Sequence, residues 1–200
     1  MTLAINKIIN SLLEIILFSL LPFLFWYFSA RKQERFTEWI GLKKIKGAKK
    51  TALAIIIVTT FYLLISLILL NSLKNIENAT TEFQGLRFAA LPAIFIYAVF
   101  NTAFPEEILF RGFILKRLAN KLGFTKANFI QGLLFGLLHG VMFFPLVGNL
   151  KSILIILLTS LAAFAMGYVN EEISGGSIIP SWIIHAISNF IAGIYLAFYI

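Results

Sequence analysis

Two adjacent glutamates, Glu106 and Glu107, interrupt an otherwise apolar run that opens at Phe104-Pro105 and closes at Phe110-Arg111. Carboxylates set among such residues are costly near hydrocarbon, and their default meaning is a functional site with a partner to be named. Glu107 and Arg111 are four apart and share a helix face, so they can pair. Glu106 projects about 100° round the helix from that pair and is free for chemistry. The chain has two histidines, His139 and His185, and both lie inside apolar stretches; Asn189 follows His185 by one helical turn. Glutamate and histidine can deprotonate water, while histidine and asparagine can donate to a developing oxyanion. Alternatively Glu106, His139 and His185 could hold a zinc ion with an open position for water. Other intramembrane chemistries lack their residues. There is no cysteine and no aspartate, no His-Glu-x-x-His (Gly140 and Ala186 follow the histidines), and no Gly-x-Ser-Gly.

Those side chains need a scaffold. Sixty per cent of the 200 residues are apolar and mean hydropathy is +0.90, which points to a polytopic helical membrane protein. The fold class expected is all-α: an integral membrane helical bundle of about six transmembrane spans plus an amphipathic or broken helix carrying the Glu-Glu motif. The spans read as 8–30, 51–73, 88–104, 127–147, 152–170 and 178–200. Between the third and fourth, Pro105 is expected to open a separate helix over 105–122. Glu106 and Glu107 then fall in its first turn, where the dipole favours negative charge, and Gly123 stops it. Gly132, Gly136 and Gly140 form a small-residue face for close helix contact.

The first apolar stretch is too long for a signal peptide and only Lys7 precedes it, so it reads as a retained helix. The net charge of +8 sits mainly between spans, with eight basic residues against two glutamates over 31–50. Positive-inside topology explains this better than a nucleic-acid partner, and it places loop 31–50 in the cytoplasm. The short loop 74–85 then lies outside; its Asn78-Ala79-Thr80 sequon carries no weight.

Taken in order, Glu-Glu-x-x-x-Arg at 106–111, Phe-x-x-x-His at 135–139 and His-x-x-x-Asn at 185–189 resemble the three motifs of one family. It is the CPBP/Abi family of intramembrane proteases, which includes type II CaaX prenyl endopeptidases and bacteriocin-immunity-type members. The resemblance covers roughly 88–200, while residues 1–86 carry no motif. It implies Glu106 as general base with His139 as its partner on the water, and His185 and Asn189 as stabilisers of the tetrahedral oxyanion. Glu107 and Arg111 would brace the helix, and Phe135 would support the site. Members are often named metalloproteases, yet a glutamate-activated water without metal is also argued for them. The metal reading consumes Glu106 as a ligand and leaves no evident base. No cofactor is therefore assigned, with Zn2+ on Glu106, His139 and His185 as the alternative.

The expected organisation is one structural unit, with 1–86 an N-terminal transmembrane hairpin and 87–200 the catalytic core. Its expected activity is hydrolysis of a peptide bond near the cytoplasmic face of a bacterial plasma membrane. The partners implied are the lipid bilayer and a peptide or protein substrate, prenylated or not. A rival is a bacteriocin self-immunity protein that acts by binding without proteolysis. A transporter is disfavoured, because the spans suggest no inverted repeat.

Overall fold

A computed structural model describes residues 2–72 and 80–198, and their regular structure is entirely helical. Leu73, residues 74–79 with Asn78 and Ala79 of the sequon, and the last two residues of the final span lie outside the described residues. Among the described residues five helices are long and apolar enough to cross a membrane: α1 (Thr2–Ser29), α3 (Ala48–Ser72), α4 (Arg87–Leu122), α5 (Phe124–Ile173) and α6 (Ile179–Phe198). A single short helix, α2 (Phe36–Trp39), lies in the basic loop. Large apolar side chains face outward on the long helices, among them Ile16, Leu17, Ile56, Phe95, Val141 and Leu157. The interior instead collects Glu107, Arg111, Asn128, Gln131, Asn170 and His185. This inversion suits a bundle bathed in lipid tails, where the surface needs no polar groups and polar side chains must find partners inside. The chain is an integral membrane protein.

Helix α5 is two spans in one element. Gly148 takes φ 72° and ψ −178°, which breaks the helical path into arms 124–147 and 149–173. Only glycine enters that region without steric cost, so the hinge falls where the sequence allows it. The arms fold back on each other along Gly132, Gly136 and Gly140. A β-carbon on Gly136 would overlap Ser160 Oγ and lie 2.5 Å from the Ile156 carbonyl oxygen. Amides close the contact: Asn128 Nδ2 donates to Phe164 O at 2.9 Å and Gln131 Nε2 to Ala163 O at 3.1 Å. With this hinge, five elements give six membrane-length arms.

The expected break at Pro105 does not occur. Residues 87–122 form one helical run, so 88–104 and 105–122 are a single element and the glutamates sit mid-helix, far from any N-terminal dipole. The reason lies in the turns around the proline. Tyr97–Ala103 and Ile108–Leu115 are π-helical, flanking Phe104–Glu107. Wider turns make room for the ring and for the missing N–H. Carbonyls of the widened stretch find side-chain donors: Trp182 Nε1–H bonds Val99 O at 2.9 Å and Thr102 Oγ1–H bonds Tyr97 O at 3.2 Å. Proline inside a membrane helix is tolerated under those conditions. Gly123, at φ 77°, ends α4 as expected.

Helix α1 packs along α4, and α3 packs against α5 and α6. One end of the bundle gathers the basic residues, and it is built rather than loose. Lys116 Nζ meets Glu171 Oε1 at 2.6 Å and donates to Gly176 O at 2.8 Å. Ile178 N–H donates to Gly41 O at 2.9 Å, and Ser177 Oγ–H to Lys43 O at 2.7 Å. Trp39 and Ile40, apolar residues in a stretch legible only as charge, are buried against Ile108 and Ile178. At the opposite end Lys7 pairs with Glu82, its ammonium 4.9 Å from the Tyr97 ring centre.

Candidate active site

Three elements meet around Glu107. On α4, Glu107 and Arg111 are both fully buried, with Arg111 Nη1 3.0 Å from Glu107 Oε1. The approach is out of line for a hydrogen bond, and no guanidinium nitrogen of Arg111 donates to a described residue. Charge and the ring face of Phe135, 4.5 Å from the guanidinium carbon, hold the cation. From α6, His185 Nδ1 lies 3.1 Å from Glu107 Oε1. A carboxylate beside an arginine only accepts, so the ring proton belongs on Nδ1. The other ring nitrogen, Nε2, lies 3.9 Å from Glu106 Oε2.

Glu106 is the glutamate left over. Its side chain is 18% exposed, against 0% for Glu107 and 3% for His185. Glu106 Oε2 is nevertheless buried and has no hydrogen-bond partner among the described residues. An unpaired buried carboxylate oxygen costs free energy and calls for an explanation. An oxygen and a nitrogen 3.9 Å apart can each reach about 2.8 Å to one polar atom placed between them.

His139 stands half-buried on the first arm of α5. Its ring packs on Phe135, with centres 4.4 Å apart, and its Nδ1 faces the Phe135 carbonyl at 2.9 Å. A carbonyl only accepts, which leaves Nε2 of His139 open. Phe135 also meets the edge of the His185 ring at 6.0 Å, so one phenyl ring spaces Arg111 and both imidazoles. The structure brings Glu106 to His185 rather than to His139, which makes no ion-pair contact with either glutamate among the described residues. Asn189, half-buried, donates from Nδ2 to Thr102 Oγ1 at 2.7 Å, one turn before Glu106. A possible zinc set does not form: no three His or Glu side chains among the described residues gather at metal-ligand separations, so Glu106, His139 and His185 do not fit an ion here.

Two residues at the site were not legible as such. Ser181 Oγ–H donates to Glu107 Oε2 at 2.5 Å and accepts from Asn170 Nδ2 at 2.7 Å. Ser181, His185 and Asn189 recur every four residues on one face of α6, a polar stripe that could have flagged the serine. Asn170 reads as the polar end of a span, and nothing local distinguishes it.

A family model for type II CAAX prenyl endopeptidase Rce1-like proteins matches residues 87–191, just over half of the chain. The chain belongs to that family. The matched segment starts with α4 and ends two residues past Asn189, so this Rce1-like region contains every polar residue of the site. Residues 1–86, which carry no motif, fall outside it. No curated protein and no solved structure gives a significant match. The family is one of membrane proteases, in keeping with the CPBP/Abi resemblance of the three motifs.

Proposed function

We propose that this protein is an intramembrane endopeptidase in which Glu106 activates the water that attacks a peptide carbonyl. The observation that carries the reading is Glu106 Oε2, a buried acceptor without a hydrogen-bond partner among the described residues, facing His185 Nε2 within the family-matched segment. A general base must reach the proton it takes, and this oxygen is committed to no other donor. Asn189, one turn from His185 on α6, supplies a polar hydrogen for the tetrahedral oxyanion. His185, whose ring proton is spent on Glu107, turns an unprotonated Nε2 toward Glu106 and accepts from the water between them. His139, with Nε2 open beyond Phe135, assists on the water. Glu107 and Arg111 brace the site as a buried ion pair. A groove of about 440 Å³ opens between the two arms of α5, lined by Gly140, Val141, Phe144, Asn149, Ser152, Ile153 and Ile156. Its mostly apolar walls suit a hydrophobic part of the substrate, and the family's prenyl substrates are of that class.

The basic end, with loop 31–50, is taken as cytoplasmic by the excess of Lys and Arg. His185 enters α6 only six residues after Ile179, about 9 Å at helical rise, so the scissile bond would be held in that half of the bilayer. The test uses purified protein in lipid nanodiscs with quenched-fluorescent peptides, prenylated and unprenylated. Cleavage by wild type that is absent for Glu106→Gln supports the reading; equal cleavage by both ends it.

A further inference from the structure

We propose that Asn170 and Ser181 are positioning residues that act through Glu107 on His185, fixing the imidazole with its proton on Nδ1 and Nε2 turned to Glu106. The consequence for turnover rests on the peptidase reading above; the geometry does not.

The chain of contacts runs through three elements. Asn170, near the end of α5, grips Ser181 twice: its Nδ2 donates to Ser181 Oγ at 2.7 Å, and its Oδ1 accepts from Ser181 N–H at 3.1 Å. With a lone pair of the hydroxyl taken by that amide, its single proton points away from Asn170. Two acceptors compete for it, Glu107 Oε2 at 2.5 Å and Ile178 O at 3.0 Å. The carboxylate is nearer, and bonds to an ionised acceptor are the stronger kind. Glu107 is thereby held at both oxygens, Oε2 by Ser181 and Oε1 by Arg111 and His185. A carboxylate bound at one oxygen can swing about its last torsion; bound at both it cannot. The ring on Oε1 inherits that fixed direction.

A buried ion pair alone would need none of this. Glu107 and Arg111 already meet within one helix, and Asn170, Ser181 and Glu107 are all fully buried. Arg111 from α4 and Ser181 from α6 converge on the carboxylate that holds the imidazole, with Asn170 of α5 fixing the serine from behind. Partners of this kind set the tautomer and orientation of functional histidines in metal sites and catalytic triads. Asn170 is itself anchored at the basic end, where its carbonyl accepts from Gly176 N–H at 2.7 Å and Ser174 Oγ–H at 2.8 Å.

The chain has two histidines, so ring-¹⁵N-histidine labelling of the full-length protein in nanodiscs yields two spin systems, and His139→Gln assigns them. Ser181→Ala and Asn170→Ala should move the His185 ring resonances toward those of a tautomer-averaged imidazole and leave His139 in place. Ser181→Thr, which keeps the hydroxyl, should restore the wild-type spectrum. In peptide cleavage Ser181→Ala should lower kcat by on the order of 10- to 100-fold with little change in KM. His185 resonances unmoved in both alanine variants, or full kcat in Ser181→Ala, overturn the proposal. Failure of the peptidase reading is seen separately, as cleavage that survives Glu106→Gln, and the spectrum needs no substrate.

Discussion

His185 is held between two consecutive glutamates, with Nδ1 3.1 Å from Glu107 and Nε2 3.9 Å from Glu106. Neighbouring residues on a helix project about 100° apart, so one turn of α4 can reach both ends of one imidazole from α6. The two carboxylates then differ in what else they touch. Glu107 is held by Arg111, His185 and Ser181, whereas Glu106 keeps one buried oxygen without a hydrogen-bond partner among the described residues.

That difference separates the two glutamine variants. Glu106→Gln should fold and insert normally yet lose turnover by about 10²–10⁴-fold, the usual contribution of a general base. Glu107→Gln leaves Arg111 buried without its counter-charge and should cost about 3–5 kcal/mol of stability. Unfolding in mixed micelles, set beside peptide cleavage, reads both. A Glu106→Gln protein as destabilised as Glu107→Gln would make the first carboxylate structural as well.

Metal dependence is open to direct measurement. Glu106, His139 and His185 do not gather into a ligand set, so exhaustive chelation should leave peptide cleavage intact, with zinc well below one equivalent by elemental analysis. Stoichiometric zinc, with activity lost on chelation and regained on readdition, would reverse that expectation.

What could be read in advance was local. The Glu107–Arg111 pair follows from four-residue spacing, and the contact face of Gly132, Gly136 and Gly140 follows from the same period. The continuity of α4 through Pro105 could not be read, because it depends on π-helical turns and on donors from Trp182 and Thr102 that relieve the lost hydrogen bond. Nor could the partner of Asn189, since Thr102 lies 87 residues away in sequence. The choice of His185 over His139 as neighbour of Glu106 has the same origin: both are equally plausible by type, and only helix packing distinguishes them. Trp39 and Ile40 were hidden by the charges around them, although burying them seals the basic end.

The arms of α5 offer a test of packing alone. At Gly136 an added β-carbon meets Ser160 Oγ and, at 2.5 Å, the backbone oxygen of Ile156, which cannot swing aside. Gly136→Val should therefore push the arms apart and destabilise the protein by about 1–3 kcal/mol, as overpacking does. The same change at Gly123, where nothing lies within 4 Å of an added β-carbon, meets only the strain of its positive φ. Equal effects at the two sites, measured by unfolding in micelles, would mean that the arms do not press on the glycine face.

Asn189 decides between catalysis and mere binding. Its Nδ2 gives one hydrogen to Thr102 Oγ1, and an amide carries two, so one stays available to a substrate oxygen. Thr102 in turn spends its own proton on Tyr97 O, which leaves its oxygen as a fixed acceptor that aims the amide. A donor that matters only where charge develops lowers turnover more than substrate affinity when removed, typically by on the order of 10²–10³ in rate. Asn189→Ala should therefore bind peptide as wild type does and barely cleave it. Thr102→Val, which frees the amide to rotate, should lose less, because the donor is still present. If the protein serves its host by sequestering a target, both variants should protect cells as well as wild type. Protection and cleavage lost together in Asn189→Ala, with Thr102→Val intermediate in both and membrane expression unchanged, would tie the biological role to hydrolysis.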